Sequence, residues 1–356
     1  MSNYYPNLFD YATKELSQDA FIAWLMSFAY ENTEKHDSHL VLIECAKNFL
    51  REFLSLKNEE DVSLSCLPQL QYNKIDVLLS AKTKSKKYKI IIEDKIFSSD
   101  HDDQLQKYYQ DVTASFESEG YITVCIYFKP TFPNDLSKIE EKGYKYFGRK
   151  KILEILKKYV SKTYHNVFHD YYNHLNDFDK RIGLYQSLPL KDWDYEQVMG
   201  FFEHLSEHII PQMEMKCGYG YIDSPSGGFY GMWIYWPKYK TIDAHDYELY
   251  LQLEFKDEHL NICYKSSSRE YDDNNIKLDR KKVDSSIREK LSSVNGKSIP
   301  QEYGFNKPPR YGCGFSSTIG IYKCDETKGY EDAEIAIINA QKSFCKMADM
   351  LLNSNT

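Results

Sequence analysis

Asp76 is followed, after sixteen intervening residues, by the run Glu93-Asp94-Lys95. Each acid sits at the end of a short apolar, β-branched stretch, Ile75-Asp76-Val77-Leu78-Leu79 and Tyr88-Lys89-Ile90-Ile91-Ile92-Glu93. The lysine-rich segment between the two stretches reads as the turn of a strand pair. Side chains alternate along a strand, so Glu93 and Lys95 share one face and Asp94 points to the other. Pairing as a hairpin brings Asp76 onto the Glu93 face. Two carboxylates and a neighbouring main-chain carbonyl, that of Asp94, are hard oxygen donors of the type magnesium takes, and waters with a substrate phosphate complete its octahedron. A lysine two residues from the glutamate is placed to orient or deprotonate an attacking water, or to neutralise charge growing on a phosphate. The competing reading is a surface hairpin in which Glu93 and Lys95 form a solvated ion pair. Against it stands the run Ile90-Ile91-Ile92, because charge buried at the end of such a run is costly unless something pairs with it.

These residues need a sheet with helices to carry it. Apolar positions at helical spacing (Leu16, Ala20, Ala23, Trp24, Phe28) predict a first helix over 14–30, with Glu15 and Asp19 in its early turns. A second helix is expected from about His39 to Leu54. After the strand pair come a polar helix over about 101–115 and the nearly all-apolar strand Tyr121-Ile-Thr-Val-Cys-Ile-Tyr-Phe, suited to a sheet centre. A basic amphipathic helix over 148–160 follows, then helices over 164–180 and 193–210. From about Gly218 the composition shifts to Tyr- and Gly-rich strand pairs, 228–236 and 247–264. A helix near 279–293, a strand over 313–322 and a closing helix over 330–352 complete a second α+β unit. The expected organisation is a first domain over 1–180, a helical connector over 181–217 and a C-terminal domain over 218–356. That last domain carries no chemical motif: Gly227-Gly228 and Gly312-Cys-Gly314 lack the lysine or helix start of a phosphate loop.

Ile75-Asp76-Val77 followed by Ile92-Glu93-Asp94-Lys95 resembles the PD-(D/E)XK nuclease superfamily. The stretches Asn7-Leu8-Phe9 and Glu15-Leu16-Ser17-Gln18-Asp19-Ala20 are similar to the opening of a bacterial branch of it. Gln104-Leu-Gln-Lys-Tyr108 looks like the Gln-x-x-x-Tyr motif that follows the catalytic lysine in several exonuclease-like members. The resemblance covers roughly residues 7–160. It implies an α/β (α+β) fold with a restriction-endonuclease-like α-β-β-β-α-β core, followed here by a second, smaller α+β domain. It implies a metal-dependent nuclease acting on nucleic acid, DNA being the expectation, in bacterial defence or DNA processing. Mg2+ is the implied cofactor, with Mn2+ as substitute. Asp76, Glu93, the Asp94 carbonyl and Glu15 are the implied metal set, with Asp76, Glu93, Lys95 and Glu15 catalytic. Gln104 and Tyr108, one helical turn apart, would meet the substrate's phosphate or terminal nucleotide. Arg149, Lys150 and Lys151 are the candidates for its backbone. The alternative is a catalytically silent nucleic-acid or protein binding module on the same fold.

The formal charge of -8 does not exclude a polyanionic partner, because residues 138–158 hold eight basic side chains against three acids and residues 82–89 add five lysines without an acid. The longest apolar run, Phe21 to Tyr30 broken only by Ser27, is far short of the roughly 20 residues of a membrane span. No basic and apolar leader opens the chain, and the eight scattered cysteines form no metal-type spacing. The expectation is a cytoplasmic protein with reduced thiols and no membrane partner, whose C-terminal domain could serve a homo-oligomer or a partner protein.

Overall fold

In a computed structural model of the chain, the described residues are 6–96, 104–132, 136–222, 228–235, 240–242, 245–268, 285 and 316–353. They form two compact units, Met1–Lys180 and Arg181–Thr356.

The first unit opens with helices α1 (Glu15–Ser27) and α2 (Asp37–Leu54). Strands β1 (Ser63–Leu64), β2 (Gln69–Tyr72), β3 (Ile75–Lys82) and β4 (Lys87–Asp94) follow. Next come α3 (Gln104–Phe116), β5 (Tyr121–Lys129), α4 (Leu136–Glu141), β6 (Tyr144–Gly148), α5 (Arg149–Lys157) and α6 (Asn166–Gly183). The sheet order is β1-β3-β4-β5-β6, with β2 also on β3. β3 and β4 are antiparallel, whereas β4–β5 and β5–β6 are parallel, each crossover passing through a helix. The fold is thus α+β with the expected order of core elements. Burial explains the central strands: from Tyr88 to Asp94 every residue of β4 is buried, as both faces are covered.

One face carries Leu78, Ile91, Cys125, Tyr127 and Tyr144 against Leu105, Tyr108 and Val112 of α3. On the other, Phe128 stacks on Phe147, which meets Phe49 and Phe53 of α2. β6 is absent from the sequence reading: Tyr-Lys-Tyr-Phe-Gly has no β-branched residue, and its lysine points outward to the Glu52 carbonyl and Ser55 Oγ at the C-terminal end of α2.

The second unit is an antiparallel sheet in the order β12-β11-β10-β8-β7, with β9 on β10. Its strands are β7 (Lys216–Ile222), β8 (Phe229–Tyr235), β9 (Lys240–Ile242), β10 (His245–Lys256), β11 (His259–Ser268) and β12 (Ser316–Lys323). Helix α7 (Tyr195–His204) and helix α8 (Tyr330–Asn353) belong to it, Phe344 meeting Tyr264 of β11 with ring centroids 5.4 Å apart. The helix expected near 279–293 lies, apart from Ser285, outside the described residues. Among the described residues no helix is long and apolar enough to cross a membrane.

Candidate active site

Val77 stands opposite Ile92 in the β3–β4 ladder, so one step further Asp76 and Glu93 end side by side, away from the hairpin turn. Asp76 Oδ2 accepts the Asp94 main-chain N–H at 2.9 Å, and the Gln71 amide donates to its other oxygen at 3.3 Å. Lys95 Nζ lies 2.6 Å from Glu93 Oε1 and 3.9 Å from Asp76 Oδ2. Glu93 is 0% exposed, and burial together with the Asp76 charge pushes its carboxyl up to about 7 against the opposing pull of Lys95. Burial alone would lower the Lys95 ammonium, yet the Glu93 and Asp76 charges outweigh it and hold Lys95 above its ordinary value. Lys95 in this arrangement is a firmly charged group.

The opposite face of the same strand end holds a feature that periodicity did not reveal. On α1 the buried residues are Gln18, Asp19, Phe21, Ile22, Leu25 and Met26, whereas Leu16 is 65% exposed and Ala20 faces solvent. The face predicted from Leu16 and Ala20 is therefore out of phase. The Gln18 side-chain amide donates to Asp94 Oδ1 and its oxygen accepts from the Tyr171 hydroxyl at 3.2 Å. Asp19 and Asp94 are close enough that each carboxyl responds to the other's charge. Burial, with Asp76 adding to it, pushes Asp19 up to about 7, and burial with Asp19 raises Asp94 well above the usual range. Among the described residues, Asp19 Oδ1 and Asp94 Oδ2 are buried without a hydrogen-bond partner. The signal available in the sequence was two polar residues in register with Phe21, Ile22, Leu25 and Met26.

Residues 6–173 match the family model of the PD-(D/E)XK nuclease superfamily. The N-terminal unit belongs to that superfamily. No curated protein and no solved structure matches the chain. Superfamily membership gives the unit a nuclease fold, whose members generally act on nucleic acid. Members of the superfamily typically use divalent metals, and the donors here fit such an ion. Asp76 and Glu93 offer carboxylate oxygens beside the Lys95 ammonium. Among the described residues no set of three or more His, Cys, Asp or Glu side chains is arranged to hold a metal. Two carboxylates with main chain would suit magnesium, which keeps several waters.

Other predicted residues fall differently. Glu15 also reaches the strand end, where its carboxylate takes the Ile96 N–H at 3.2 Å. Gln104 begins α3, and its side chain lies outside the described residues. Tyr108 is 5% exposed in the apolar core with Tyr127 and Tyr144, which leaves its ring no open face for base stacking. Arg149 is also enclosed. Its guanidinium is buried, bonded to Asp179 at 2.7 Å and the Pro130 carbonyl at 3.4 Å, between the rings of Phe132 and Phe178. Lys151 is held by Glu52 of α2 and by Glu154, on the sheet face opposite Glu93, and Lys150 is exposed on the same helix. α5 opens with three cations because one anchors it and another pairs locally. In the second lysine cluster, Lys89 is buried, bonded to Ser80 Oγ at 2.8 Å under the Phe116 ring.

Proposed function

We propose that the N-terminal unit is a magnesium-dependent nuclease, with manganese as substitute, that hydrolyses phosphodiester bonds in nucleic acid, DNA being the favoured substrate. The observation that carries this reading is the convergence of Asp76, Glu93 and Lys95 at one strand end, two carboxylates within reach of one lysine. Asp76, Glu93 and the Asp94 carbonyl would hold the ion, which when bound supplies Lewis-acid polarisation of the phosphate and a more acidic water. Lys95, beside both carboxylates, would orient or deprotonate the attacking water, or offset charge growing on the phosphate. Glu15 fixes the backbone at Ile96 beyond the lysine. The Asn7-Leu8-Phe9 and Glu15–Ala20 stretches support a place in bacterial DNA processing or defence. Residues 218–356 supply no chemistry to this reading and are left as the unit that would engage a second copy or a partner.

Calorimetric titration with Mn2+ tests the ion site without any substrate. Binding by the wild type that falls at least tenfold in Asp76→Ala supports the reading. Equal binding by both proteins removes Asp76 from the site and defeats it.

A further inference from the structure

Gln18 and Asp19 are neighbours on α1, 5% and 2% exposed, and they are the polar members of a helix face otherwise made of Phe21, Ile22, Leu25 and Met26. Burying an amide and a carboxyl there is unfavourable unless both are hydrogen-bonded, and an apolar pair packed on an apolar residue 94 would fill the same space more cheaply. The contacts show what the polar version adds. Tyr171, itself buried and stacked on Phe21 with centroids 3.7 Å apart, donates its hydroxyl to the Gln18 oxygen. That bond fixes which end of the amide is which, so the NH2 group must face Asp94 Oδ1. Asp19, at the next helical position, brings a second buried carboxyl whose charge acts on Asp94. Asp94 is thus held by its side chain on the α1 face, while its main-chain N–H holds Asp76 Oδ2 at 2.9 Å. Glu93 and Lys95 are its immediate chain neighbours, and the Lys95 N–H is tied to the Phe128 carbonyl at 3.0 Å. Any rotation of the backbone at Asp94 would move all three functional side chains together.

We propose that Gln18 is a positioning residue of the metal-binding strand end: acting through Asp94, with Tyr171 fixing its amide, it sets the orientation of Asp76 toward the ion. The inference rests on the metal-nuclease reading above. Partners that orient metal ligands from behind typically change metal affinity 10–100-fold when removed, because the ligands still exist but must be re-ordered on binding.

The test uses the full chain, with Gln18→Met removing the amide at similar length and Tyr171→Phe removing one hydroxyl. Mn2+ affinity by calorimetry, cleavage as a function of metal concentration, and melting temperature are read together. The expected result is Mn2+ binding weakened about 10–100-fold in Gln18→Met and about threefold in Tyr171→Phe. The double variant is no weaker than Gln18→Met alone, since both act along one chain of contacts. Cleavage at saturating metal stays within about threefold of wild type, because the residues that meet the substrate are intact. Wild-type Mn2+ affinity in both variants, with only the melting temperature lowered, would make the network purely structural and overturn the inference. If Gln18→Met does not fold, wild-type affinity in Tyr171→Phe overturns it alone. A wild-type protein that binds no Mn2+ overturns the nuclease reading itself and this inference with it, an outcome distinct from equal binding by wild type and variants.

Discussion

Replacing Arg149 separates an anchor from a phosphate contact. The side chain is 2% exposed, with its Nε on Asp179 at 2.7 Å, one terminal nitrogen on the Pro130 carbonyl at 3.4 Å, and the Phe132 and Phe178 ring centroids at 5.5 and 5.6 Å. A charge-assisted hydrogen bond contributes about 1.5–3 kcal/mol and each ring contact roughly 0.5–1 kcal/mol. The side chain of Asp179 is 43% exposed and rehydrates once its partner is gone, so the full penalty of an uncompensated buried charge does not arise. Because these contributions share atoms and do not add, Arg149→Ala is expected to lose about 3–4 kcal/mol, and Arg149→Met, which restores some packing, about 2 kcal/mol. At roughly 2–4 °C per kcal/mol for a unit of this size, the first substitution lowers the melting temperature by about 6–16 °C. Scanning calorimetry reads that shift. Fluorescence anisotropy with labelled oligonucleotides, well below the melting range, should give an affinity and salt dependence within twofold of wild type. A stable Arg149→Ala protein with weakened nucleic-acid binding and a salt slope reduced by about one would refute this account and restore Arg149 as a backbone contact.

The buried carboxyl groups give stability a pH dependence of known sign. The folded, metal-free unit keeps a proton on Asp19 up to about 7, whereas the unfolded chain releases it near 3.8. That contribution is complete below 3.8 and disappears as pH rises through about 7, at roughly 1.4 kcal/mol per pH unit per proton. Denaturant titrations from pH 4 to 7 should show falling stability, with a flatter profile in Asp19→Asn; identical profiles would contradict the raised Asp19 carboxyl. Thiol reactivity follows burial in the same way. Cys125 and Cys324 are buried and their thiols are pushed up to about 12, so a disulfide reagent at pH 8 should modify the half-buried Cys66 first and reach those two only on unfolding. Modification of Cys125 in the native protein as fast as Cys66 would show that the α3 face is open.

The hairpin and its acids were legible because they depend on local rules. Alternation puts Glu93 and Lys95 on one face, an apolar run demands a buried strand, and Tyr121–Lys129 has no other place than a sheet centre. Asp94 was read only for its carbonyl, since alternation says that its side chain points away from Glu93 and nothing local says toward what. The partner lies 76 residues upstream, Gln18, where Leu16 and Ala20 offered an equally good apolar stripe. Long-range pairing likewise decided Arg149: a cation at a helix start looks the same whether it meets a phosphate or Asp179, and only the closure of α6 onto the sheet distinguishes them. β6 escaped detection because its place beside β5 is set by parallel pairing, with Tyr144 and Tyr146 inward, and not by its own composition.

Cleavage of linear, circular and single-stranded DNA and of RNA, with Mg2+ or Mn2+ and with end mapping, comparing wild type with Asp76→Ala, Glu93→Ala and Lys95→Ala, tests the central claim most directly. The account predicts metal-dependent cleavage of at least one substrate, abolished by chelation and reduced at least 100-fold in each variant. Cleavage that persists in all three folded variants would contradict it.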